Sequence, residues 1–210
     1  MSTTGTAPVN VSGWLPIMAA RQPAALAIAV AKKGGGYARL TARELDGMCD
    51  RAAHALVAAG ITKGMRTVLM VAPGTEFFAI AFALFKIGAL PVMVDPGMGI
   101  NNLGRCLGEA EPEAFVGTPK AHAARLLLRW AKATLRVHVT VGPKPLWGGH
   151  RYARLLSAAP STPFDVDASG PEQLAAPRLR QAVLRVDSRS AFSHRSRPRN
   201  FDKNSFSIAN

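Results

Sequence analysis

The side chains able to do chemistry in this 210-residue chain are scattered rather than clustered. His54, His122, His138, His150 and His194 show neither an HExxH pair nor any other ligand spacing, so the sequence predicts no metal site. Cys49 and Cys106 form no CxxC and read as ordinary thiols of a reducing cytosol. No GxSxG elbow is present to raise a serine nucleophile. Two glycine-bearing turns bear on phosphate binding. Gly34–Gly36 lies between two apolar runs, where it predicts a hairpin turn that opens no helix. Pro73-Gly74-Thr75 does precede a helix, but lacks the glycines and lysine of a phosphate loop. Two charged residues remain. Asp95 sits in an Asp-Pro turn, where a carboxylate most often bonds its own backbone. Lys86 interrupts an apolar helix and is expected to snorkel from the helix end rather than touch a phosphate. The residues alone assign no catalytic, cofactor-binding or metal-binding set.

The elements that must position these groups alternate between helix and strand. Ser12 is expected to cap a short helix running through Ala20 and ending before Pro23. Apolar runs at Ala24–Ala31 and Tyr37–Leu40 flank the glycine turn as a hairpin. Thr41, with Glu44 three residues on, predicts a capping box; Leu45, Met48, Ala52, Leu56 and Ala59 then recur at helical spacing until Gly60. Thr67–Val71 is an uninterrupted apolar run of strand length, suited to a parallel strand covered on both faces. Thr75 is expected to cap a helix reaching Ile87, and Leu90–Val94 predicts the next strand. The alternation continues with a helix over 101–110, a strand over 114–116, a helix over 120–130, a strand over 135–141 and a short helix over 152–158. That order predicts an α/β fold with a largely parallel sheet and flanking helices. The expected organisation is a flexible N-terminus over 1–11, a folded region over 12–176 and a separate tail over 177–210.

Composition narrows the function classes. Hydrophobic residues make up 48% of the chain, which excludes wholesale disorder. The N-terminus lacks a basic stretch followed by an apolar run, so no secretory signal is read there and a cytoplasmic location is expected. The apolar stretch from Phe77 to Val94 carries Lys86 at its centre and is broken by Gly88 and Pro91, so no membrane span is expected. The net charge of +13 is uneven: residues 177–210 hold eight Lys/Arg against two Asp/Glu. Arg189, Arg195, Arg197 and Arg199, with Phe192 and Phe201, would suit a nucleic-acid-binding arm. Against that reading, the tail turns abruptly to Arg/Ser/Pro and then to Asn, Lys, Phe and Ile. Such shifts fit a changed reading frame or inserted DNA better than a selected arm, and nucleic acid is the less favoured partner. The tail's few large apolar side chains could not offset its ordering entropy, so it is expected to be a disordered basic tail.

Three segments resemble one superfamily, the ATP-dependent acyl-adenylate-forming ligases (AMP-binding synthetases). Leu40-Thr41 with Glu44-Leu45 is similar to its first signature. Leu84-Phe85-Lys86-Ile87-Gly88-Ala89, with Pro91-Val92-Met93-Val94-Asp95-Pro96, is similar to its second. Gly64, Arg66, Val68, Pro73 and Glu76-Phe77 match the connecting strand and turn. Asp95-Pro96-Gly97-Met98-Gly99, Pro112–Phe115 and Pro119-Lys120-Ala121-His122 further resemble the fatty-acid ligases of the bacterial long-chain olefin pathway, which adenylate a β-hydroxy fatty acid and close it to a β-lactone. The resemblance, shared with fatty-acid-CoA ligases, implies the N-terminal lobe of such a ligase, with ATP and Mg as cofactors and a fatty-acid-type substrate in full-length relatives, the acyl group passing either to coenzyme A or to an internal hydroxyl. It also implies a Ser/Thr/Gly-rich loop ending in proline-lysine-glycine, expected just after Glu172-Gln173-Leu174-Ala175-Ala176. The chain reads Pro177-Arg178-Leu179-Arg180 there, and no such loop follows. The expectation is therefore a truncated ligase, inactive alone and binding no cofactor itself, with a complementing ligase fragment as the partner that would complete it.

Overall fold

The computed structural model describes residues 10–32, 34–93, 100–143 and 148–166. Asp95, His194 and residues 177–210 lie outside them. Strand β1 (Leu26–Ala31) pairs antiparallel with β2 (Tyr37–Thr41), as the two apolar runs around the glycines require. The main sheet contains β3 (Arg66–Met70), β4 (Leu90–Met93), β5 (Ala114–Gly117), β6 (Val137–Thr140) and β7 (His150–Arg151). Its order is β4-β3-β5-β6-β7 and every pairing in it is parallel. The helices are α1 (Trp14–Arg21), α2 (Ala42–Ala58), α3 (Thr75–Ile87), α4 (Ile100–Ala110), α5 (Pro119–Leu127) and α6 (Tyr152–Ala158).

Strand alternation sorts the core into two layers. Leu69, Ala114, Val116, Val139 and Val141 face α2, α3 and α6, where Ala52, Leu56, Ile80, Leu84 and Tyr152 complete one cluster. Val68 and Phe115, one position out of phase, face α4 and α5 and pack with Leu103, Leu107, Ala121 and Trp130. Helices thus cover both faces of a parallel sheet, which is why its strands carry continuous apolar runs rather than alternating ones. Of the apolar stretch, Phe77 to Met93 forms α3, a left-handed Gly88 at φ 75° and β4, and Val94 lies outside the described residues. Among the described residues no helix is long and apolar enough to cross a membrane.

The capping box at Thr41 forms as expected: Glu44 N–H donates to Thr41 Oγ1 at 3.3 Å, and Thr41 N–H donates to Glu44 Oε2 at 2.9 Å. Other local expectations are corrected. Asn10, not Ser12, caps the first turn, its Oδ1 accepting from both Ser12 N at 3.0 Å and Ser12 Oγ at 2.8 Å. The same Asn10 amide donates to Phe85 O at 2.7 Å, tying the start of the fold to α3. Gly74 is the N-cap of α3, and Thr75 is its first helical residue. Helix α5 stops at Leu127 rather than Trp130, because Arg129 turns left-handed.

Candidate functional site

In this sheet β3 comes first in the chain, β4 lies on one side of it and β5 on the other. The connections therefore diverge at the carboxyl ends of β3 and β5, the place where open α/β sheets form their ligand crevice. Met70 and the Pro73-Gly74 turn stand at one lip, Gly117 and Thr118 at the other. The lips are close: Thr118 N–H donates to Met70 O at 3.1 Å, and its side chain caps α5 by accepting from Ala121 N at 3.3 Å. A Cβ on Gly117 would come within 2.6 Å of the Phe115 ring.

Neither described lip carries the glycine- and serine-rich run of a phosphate loop: one reads Ala72-Pro73-Gly74-Thr75, with no N–H at Pro73, and the other Gly117-Thr118-Pro119-Lys120. Among the described residues no group of three His, Cys, Asp or Glu could hold a metal ion.

Lys86 contradicts the snorkelling expectation. Its side chain is 1% exposed, and Nζ donates to Asp46 Oδ1 at 2.6 Å and to Asp50 Oδ1 at 2.5 Å. Both aspartates project from α2 one turn apart, beside the apolar stripe of Leu45, Cys49 and Leu56, so α2 and α3 are joined by a buried charge triad. Burial pulls the ammonium's pKa down, but hydrogen bonds and charge from Asp46 and Asp50 outweigh it and hold the pKa above its ordinary value. The lysine stays charged at neutral pH and touches no crevice. Nearby Cys49 is pushed up to about 12 by burial, so it is inert as a nucleophile.

Under α5 lies a second, cationic group. His122 Nε2–H donates to Val139 O at 3.0 Å and its ring meets Phe115 edge-on. The Arg125 guanidinium sits 5.7 Å from the Phe115 centroid, with its Nε buried and unpartnered. His138 Nε2 is likewise buried without a partner. Burial, then the Arg125 and His122 charges, bring His138 down to about 4, and burial lowers His122 as well. These imidazoles are neutral wedges between sheet and helix. His54 donates to Thr162 O at 3.2 Å and packs on Phe164, and His150 is exposed in β7. A cleft of about 530 Å³ between β2, α2 and α6 is lined by Leu40, Gly47, Met48, Arg51, Glu76 and Tyr152, with charges of both signs.

The sheet order and the helices covering both faces define a doubly wound α/β protein. The chain belongs to the AMP-binding enzyme family, which matches residues 17–176. It is 42% identical over 195 residues to an olefin β-lactone synthetase of Stenotrophomonas maltophilia, covering 90% of this chain and 35% of that enzyme. A second olefin β-lactone synthetase, of Xanthomonas campestris, is 44% identical over 152 residues, which are 70% of this chain and 27% of that enzyme. The chain therefore spans about a third of the length of these relatives. Its fold is similar to a long-chain-fatty-acid-CoA ligase of Archaeoglobus fulgidus, with a TM-score of 0.66 and 15% identity over 79% of this chain and 33% of that one. At that identity the likeness establishes the fold alone.

Proposed function

We propose that this chain supplies the scaffold part of an ATP-dependent acyl-adenylate-forming ligase of the β-lactone-forming type, and that residues 1–210 alone do not adenylate. The observation that carries the reading is the 42% identity to an olefin β-lactone synthetase across 90% of the chain. In the complete reaction a β-hydroxy fatty acid carboxylate attacks ATP's α-phosphorus, giving acyl-adenylate and pyrophosphate. The substrate's own β-hydroxyl then attacks the acyl carbon, loses its proton and expels AMP, closing the four-membered ring. The proline-lysine-glycine phosphate loop, the metal carboxylate and the lid lysine of that reaction lie outside residues 1–210. In this reading the cytoplasm is the location.

A complementing fragment is the natural partner, because β4 is a sheet edge: among the described strands it pairs with β3 alone, and Met93 at its end is half exposed. The test is pyrophosphate exchange into ATP with a long-chain β-hydroxy fatty acid and Mg²⁺. The purified chain should give none. Adding a polypeptide carrying the remaining two-thirds of a β-lactone synthetase should restore exchange, and failure of a well-folded pair to exchange would reject the reading.

A further inference from the structure

Helix α5 is stopped rather than frayed. Trp130 N–H donates to Arg125 O at 3.0 Å and Arg129 N–H to Leu126 O at 3.3 Å, the paired bonds of a Schellman cap. The left-handed position of that cap usually holds glycine, and here it holds Arg129 at φ 53°, followed by Ala131 at φ 45°. Strain at two non-glycine residues persists only where the surroundings enforce it. Trp130 supplies the enforcement: it is 6% exposed, and a Cβ on Gly104 of α4 would lie 3.1 Å from its Nε1. The reversal leaves Leu126, Leu127 and Leu128 projecting, with 41%, 84% and 42% of their surface exposed.

The chain that carries this tip is basic in sequence, with Glu113 just before it and joined through its backbone carbonyl to the Arg136 N–H at 2.8 Å. From Ala114 to Phe164 the sequence contains eight Lys or Arg and no Asp or Glu. Exposed Lys120 opens α5, and exposed Arg129, Lys132 and Arg136 follow the leucines. Three adjacent aliphatic side chains gain nothing from a phosphate backbone in water. Exposed leucines followed directly by exposed Arg129 and Lys132 instead match the boundary between headgroups and acyl chains of an anionic bilayer.

We infer that the α5 tip docks on an anionic lipid surface, Leu126–Leu128 entering the headgroup–acyl boundary while Lys120, Arg129 and Lys132 meet lipid phosphates. The inference stands apart from the ligase reading, since it needs neither nucleotide nor acyl substrate. The test is co-sedimentation of the whole chain with phosphatidylcholine vesicles, with and without phosphatidylglycerol, using the triple variant Leu126→Ser/Leu127→Ser/Leu128→Ser. The chain should bind the anionic vesicles and not the neutral ones. The triple variant, whose basic tail is intact, should bind at least about tenfold more weakly while its affinity for duplex DNA is unchanged. If the triple variant does not fold, Leu127→Ser alone should weaken vesicle binding about threefold. No anionic-vesicle binding, equal binding by the serine variant, or a parallel loss of DNA affinity would each overturn the inference.

Discussion

Lys86 carries the clearest consequence of this fold for a single residue. Its ammonium is buried between two carboxylates, so removing it strands two negative charges whose side chains are only 16% and 10% exposed. Lys86→Met should cost about 3–5 kcal/mol in urea unfolding. Replacing all three groups by leucine should return stability to within about 2 kcal/mol of the parent, because no charge is then left unpaired. A triple variant as unstable as the single one would contradict this view of the triad. The histidines make a second claim. An unfolded imidazole takes its proton near pH 6.5, whereas His138 in the fold takes it only near 4. Between those values the unfolded chain binds more protons, so stability is complete above the upper value and is lost as pH falls toward the lower. His122, also lowered, acts in the same direction. Urea midpoints measured from pH 7 to pH 4 should fall for the parent and fall less steeply for His138→Gln, whereas equal slopes would remove His138 from the account. Little of this was legible in the chain. Lys86 was conspicuous, but its partners lie 36 and 40 residues away on another helix. The only signal was Asp46 and Asp50 spaced one turn apart beside an apolar stripe, and pairing them with Lys86 requires knowing how α2 packs on α3.

Elements whose ends are fixed by local chemistry could be read directly. The Thr41–Glu44 box starts α2 where the sequence places it, and Gly60 at φ 95° follows its end. The strands β3, β4 and β5 fall within a residue or so of their apolar runs, and for β3 and β5 burial on both faces leaves little else those runs could be. Reading failed where a tertiary contact decides. Nothing local announces a left-handed Arg129, because Trp130 against α4 imposes it. Strand β7 has two residues, too few for any period, and exists because Gly148 and Gly149 bring it beside β6. Gly149 adopts φ 83°, and a Cβ there would lie 2.6 Å from His138 O, a backbone atom that cannot step aside. Gly149→Ala should therefore cost at least about 2 kcal/mol in urea unfolding, combining left-handed strain with overpacking. A cost near zero would show that β7 is not held against β6 as described.

At the scale of the whole molecule, the fold provides a doubly wound lobe with its crevice at the β3/β5 switch point, and the chain spans about a third of the length of its AMP-binding relatives. The described lips of the crevice, at Pro73-Gly74 and Gly117-Thr118, carry no glycine- and serine-rich phosphate loop, and Glu76 lines the separate cleft between β2, α2 and α6. The α/β class and the parallel sheet were legible because they rest on order and periodicity, and the family because three segments resemble its signatures in the right order. The crevice was not, since it is made where segments distant in sequence meet and Asp95 lies outside the described residues. The most direct measurement is isothermal titration of Mg-ATP into the purified 210-residue chain. The expected result is no saturable heat. Stoichiometric binding that competes with AMP would contradict the view that the nucleotide-gripping residues lie outside this chain.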